Sequence, residues 1–132
     1  MKKILIALVL GLAALSASAA NWKTFAESTT HQFQGDISSI DFGTNNGDEP
    51  IVYIKGRVIP PNGNIVNETW TVRFTDCDAG FGNLVTLSSD GGEFKTRDRF
   101  YVGGTNIANG IAGKLCYAYK RAKQGVSSGS SI

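Results

Sequence analysis

The sequence predicts an α+β fold, an antiparallel β-sheet packed against one C-terminal α-helix, with a disulfide joining the helix to a strand. Three observations predict it. Between Trp22 and Tyr101 the apolar residues fall in short, β-branched runs separated by Gly, Asn, Asp and Pro clusters. From Ile107 onward they recur three and four residues apart, the spacing of a one-sided helix. The chain of 132 residues holds two cysteines, Cys77 in the strand-like part and Cys116 in the helical part.

The first residues read as an address. Met1-Lys2-Lys3 is a positive head, the 12 residues from Ile4 to Leu15 are apolar apart from Gly11, and Ala17-Ser18-Ala19 is a small-residue cleavage signal. A run of 12 is too short for a hydrocarbon core that needs about 20 residues. We therefore expect a signal peptide over 1–19, a single α+β domain over 20–125 and a flexible Ser/Gly-rich tail over 126–132. The expected destination is the periplasm or the medium, with no membrane span. No Cys follows the apolar run to accept a lipid.

Pro50 to Ile59 is a β-branched run that ends at Pro60-Pro61-Asn62-Gly63-Asn64. Ile65 to Thr75 follows, with Trp70, Val72 and Phe74 on one face, so the two form a hairpin. Asp76 to Asn83 reads as a loop. Leu84 to Leu87 reads as a strand, Ser88 to Gly92 as a turn and Glu93 to Val102 as the last strand. Trp22 to Phe25 and a piece of Gln32 to Phe42 are weaker strand signals.

The helix begins after Thr105 or Asn106, either of which can accept from the free amides of the first turn. Ile107, Ala108, Ile111, Ala112, Leu115, Cys116, Tyr119 and Ala122 form one apolar stripe. Lys120, Arg121 and Lys123 oppose the negative end of the helix dipole, and Gly125 can close the helix in a left-handed conformation. Gly110 and Gly113 each cost about 1 kcal/mol in a helix interior, and we read them as small spots that let the helix lie close on the sheet. Cys77 at a strand end and Cys116 on the buried stripe, in an oxidising compartment, read as a disulfide rather than two buried thiols.

The composition excludes much chemistry. One His and two Cys cannot build a four-ligand zinc site, and no nucleophile elbow accompanies His31. Asp76, Asp78 and Asn83 lack the closing Glu of a calcium loop. Gly103-Gly104 lacks the Lys of a P-loop. The expectation is a protein that is not an enzyme and carries no cofactor or metal.

Charge is segregated along the chain. Without Lys2 and Lys3 there are 11 bases against 11 acids, which removes bulk basicity as an argument for nucleic acid. Yet residues 21–93 carry a net −6 and residues 94–132 a net +6. Lys95, Arg97 and Arg99 alternate along one strand and share a face, which suggests a candidate binding patch. Together with Lys120, Arg121 and Lys123 they would form it if the helix end reaches the rim of the sheet.

Four segments together resemble the surface-adhesin protein E family of exported proteins in Gram-negative bacteria. They are Asp36-Ile37-Ser38-Ser39-Ile40, Trp70-Thr71-Val72-Arg73-Phe74-Thr75-Asp76-Cys77, Phe100-Tyr101-Val102-Gly103-Gly104 and the run from Ile107 to Cys116. The resemblance implies an antiparallel sheet on a C-terminal helix, a helix-to-strand disulfide, recognition of host surface or matrix proteins, and a homodimer. The functional expectation is an exported, adhesin-like binding protein for a protein or polyanionic surface. The alternative is a periplasmic inhibitor or immunity-type protein that neutralises an exported enzyme or toxin.

Overall fold

Seven antiparallel strands carry one long helix on a single face. The structure, a computed structural model, describes residues 19–88 and 95–125. The expected signal peptide, the tail and most of the turn expected at residues 88–92 lie outside the described residues. The strands are β1 (Trp22–Glu27), β2 (Gln32–Asp36), β3 (Asp41–Thr44), β4 (Pro50–Ile59), β5 (Val66–Arg73), β6 (Phe81–Ser88) and β7 (Lys95–Tyr101). Their order is β1-β2-β4-β5-β6-β7, and β3 pairs with β4 beyond the end of β2. A 3-10 turn, Ile37–Ser39, carries the chain from β2 to β3.

Asp36 builds that turn. Its Oδ1 accepts from the Asn21 amide at 2.9 Å, the Ser38 amide at 3.0 Å and the Ser38 hydroxyl at 2.6 Å. Burial alone would push this carboxyl up, but those hydrogen bonds and the nearby Lys55 charge outweigh it and hold the group below its ordinary value. Ser39 completes the joint, accepting the Lys55 amide at 2.9 Å.

The expected hairpin forms, with β4 and β5 paired from Ile51↔Arg73 to Val58↔Val66. Alternation then sends Val52, Ile54, Trp70, Val72, Leu84 and Phe100 to one face, where each is at most 2 % exposed. Gly35 and Gly56 face each other across β2 and β4 on that side. A Cβ on Gly56 would lie 2.6 Å from the Trp70 ring, and one on Gly35 would lie 2.6 Å from Phe25. The glycines thus form a flat floor for two aromatic side chains whose rings sit 6.3 Å apart.

The residues expected to form a loop at 76–83 instead begin with a short helix, α1 (Phe74–Ala79), and continue into β6, which starts at Phe81. β5 therefore ends at Arg73 and not at Thr75. Asp76 lies in the first turn of α1 and Gly80 closes it at φ 83, its amide donating to Asp76 and Cys77. Phe74 leaves the strand but still packs on the core, its ring 4.3 Å from that of Tyr119.

The long helix is α2 (Ile107–Lys123). Asn106 caps it, its Oδ1 accepting the Asn109 amide at 2.7 Å, and Gly125 follows it at φ 77. Ala108, Ile111, Ala112, Leu115, Cys116, Ala118 and Tyr119 are buried along it. Gly110 serves the expected close approach, because a Cβ there would lie 2.9 Å from the Phe25 carbonyl oxygen. Gly113 does not, since nothing lies within 4 Å of its Cβ position. The Cys77–Cys116 disulfide ties α2 to the sheet side across a Cα–Cα distance of 5.1 Å, with Cys77 in α1 just after β5.

Candidate functional site

α2 covers only one side of the sheet, so the other side is assembled by register alone. Alternate positions opposite the core hold Lys55 and Arg57 of β4, Arg73 of β5, and Arg97 and Arg99 of β7, with Lys95 at the next alternate position. The cross-strand row Tyr53–Thr71–Val85–Arg97 runs between the rows Ile51–Arg73 and Lys55–Thr69–Leu87–Lys95. Four of the five arginines of the chain therefore share this face. Its acids fall in two groups: toward β1–β3, Asp36 is engaged in its own turn, Asp41 accepts from Tyr53 Oη at 3.5 Å and Glu27 sits near the β1 edge, while Glu49 and Asp76 stand beside Arg73.

The bases differ in what engages them. Arg57 lies 4.1 Å from the centre of the Trp22 ring, and its Nε donates to Gln34 at 2.8 Å. Arg73 donates to Asp76 at 2.9 and 3.2 Å and to Glu49 at 3.0 Å. These contacts, Asp76 foremost, hold its guanidinium above the ordinary value. Asn45 and then Arg73 hold Glu49 below the ordinary carboxylate range. Arg97 and Arg99 are exposed and form no ion pair with any described residue. A groove of about 510 Å³ lies on this face, lined by Arg97, Arg73, Thr71 and Val85 together with Asp76 and with Asn45 and Glu49 of the β3–β4 loop.

The helix-end cluster is elsewhere. Lys120, Arg121 and Lys123 belong to the element that packs on the core side of the sheet, opposite the face that carries Arg97 and Arg99. Lys123 Nζ lies 3.3 Å from Asp78 Oδ1 and 5.0 Å from the centre of the Tyr119 ring. Tyr119, then Asp78, hold that ammonium above its ordinary value. The Tyr119 hydroxyl donates to both Asp78 oxygens at 3.0 and 3.1 Å and, with Lys123 second, keeps the carboxyl low. Arg121 donates to the Tyr117 hydroxyl at 3.2 Å.

The other candidate side chains are also engaged locally. His31 Nδ1 meets Thr30 Oγ1 at 2.7 Å, and Asp76 faces Arg73 rather than converging with Asp78. Sequence reasoning missed that Lys55, Arg57 and Arg73 share the face of the β7 bases. Their alternation is visible at 55 and 57, but only pairing through β5 and β6 brings them to one face.

No family model, no curated protein and no solved structure matches the chain.

Proposed function

We propose that this chain is an exported binding protein, without catalytic activity, whose open sheet face engages an anionic partner surface. What carries the reading is one observation: four arginines share that face, and Arg97 and Arg99 have no acidic partner among the described residues. Arginine suits the role because its planar fork binds carboxylate, sulfate or phosphate in pairs of hydrogen bonds. A field of like charge on a broad face raises association rates with an acidic partner and is screened over about 8 Å at physiological salt.

The face favours the adhesin-like reading over the inhibitor reading. An inhibitor of a basic cleft needs a projecting acidic loop, whereas in the β3–β4 loop Glu49 is engaged by Arg73 and Asn45, which leaves Asp48 as its single exposed carboxylate without an ion pair among the described residues. The signal-peptide pattern of the first residues, the disulfide and the resemblance to exported adhesins support export. Among the described residues no helix is long and apolar enough to cross a membrane.

Retention on immobilised dextran sulfate tests the proposal. Arg97→Glu with Arg99→Glu should abolish retention in 0.15 M salt while leaving the melting temperature nearly unchanged. Lys114→Glu with Lys120→Glu, on the exposed side of α2, should leave retention in place. Equal loss in both pairs would show bulk charge at work and end the proposal.

A further inference from the structure

On the opposite side of the sheet, α2 leaves part of the core face uncovered. The helix starts at Ile107, but β4 and β5 run on past it to Val58 and Val66, and Val66 is 52 % exposed. The result is a groove of about 800 Å³ between the first two turns of α2 and the sheet. Trp70 borders it together with Phe33, Val58, Leu84, Ile107 and Ile111. That volume and apolar lining are those of small-molecule sites.

The polar groups at its margin are unequal in sign. Glu68 and Asp98 both line it, and the Glu68 side chain uses Oε1 to accept Trp70 Nε1 at 2.9 Å, which leaves Oε2 free of any hydrogen bond within the described residues. Asp98 is exposed and has no ion pair among the described residues. Arg99 also borders the groove, but it pairs with Asn83, one position off the Leu84↔Asp98 pair, so alternation sends its side chain to the open face. His31 sits at the rim, its Nδ1 at Thr30 Oγ1. Two strand spacings of about 4.8 Å and four residues at about 3.4 Å separate Glu68 from Asp98, so their backbone positions stand roughly 17 Å apart across an apolar floor. An apolar body fits between them, and a cationic end matches either margin.

We infer that this groove binds a small organic cation, an aromatic or alkyl body carrying an ammonium group. The inference is independent of the anionic-partner face, which lies on the other side of the sheet. The test uses 3-phenylpropylammonium, 3-phenylpropanol and 3-phenylpropanoate, read by Trp70 fluorescence in a Trp22→Phe background. The ammonium should bind saturably, about fivefold tighter than the alcohol, the scale of a half-exposed charge contact, and the carboxylate should bind most weakly. Glu68→Gln with Asp98→Asn should bring the ammonium down to the alcohol, and Asp98→Asn alone, at an exposed position, should take it part of the way. Thr96→Phe, which fills the groove, should weaken all three. Equal binding of the three probes, no saturation, or an ammonium preference undiminished in Glu68→Gln with Asp98→Asn would overturn the inference.

Discussion

Removing the disulfide should take away about 4 kcal/mol of stability. The bond closes a loop with a sequence separation of 39 residues. Chain entropy of closure for a loop of that size amounts to roughly 13 cal/mol/K, or about 4 kcal/mol at 25 °C. Both sulfurs are buried, with Cys77 at 0 % and Cys116 at 2 % exposure, so the replacement must not add a desolvated hydroxyl. Cys77→Ala with Cys116→Ala is therefore the cleaner perturbation. Urea unfolding followed by far-UV circular dichroism should show the lower midpoint and a larger m-value, because an unfolded chain without the cross-link exposes more surface. Wild type in excess reductant should behave like the double variant. A loss below about 1 kcal/mol with an unchanged m-value would refute the chain-entropy account.

Gly56→Ala should cost about 1–3 kcal/mol, since the new methyl lands on the Trp70 ring, which is 1 % exposed. Gly113→Ala should instead raise stability by about 0.5–1 kcal/mol, since its Cβ meets nothing within 4 Å; chemical denaturation of both variants checks the pair. Asp36, Glu49 and Asp78 are all held below their ordinary values in the folded protein. The folded state thus binds fewer protons than the unfolded one near pH 4, and the stability these groups contribute is present above that range and lost as the pH falls through it. Melting temperatures from pH 7 to pH 3 should decline mainly below about pH 4.5, and Asp36→Asn should flatten part of that decline.

Local signals made part of this fold legible. The Asn106 cap, the α2 stripe, the Gly125 closure and the β4–β5 hairpin each depend on residues close in sequence, so spacing and turn chemistry are enough to place them. α1 escaped because six residues show too little periodicity, although Gly80 was a visible closing signal. The Gly35–Gly56 floor escaped for another reason: its meaning depends on a Trp70 ring that arrives from β5, and one strand's sequence says nothing about its neighbour's register. The candidate face shows the same division. Lys95, Arg97 and Arg99 share a face by alternation alone, whereas Arg73 and Lys55 join them through long-range pairing. The expected union with Lys120, Arg121 and Lys123 is not a matter of alternation, because a helix covering one side of a sheet belongs to that side and meets the other face only at the rim.

The arginine side chains themselves offer the most direct test of the open face. Each Nε–Hε group gives its own NMR signal, and the five arginines divide into Arg57, Arg73, Arg97 and Arg99 on the open side and Arg121 on α2. Titration with a sulfated oligosaccharide should shift Arg97 and Arg99 most, Arg57 and Arg73 less because their partners hold them, and Arg121 not at all. Shifts confined to Arg121, or spread evenly over all five, would contradict the account.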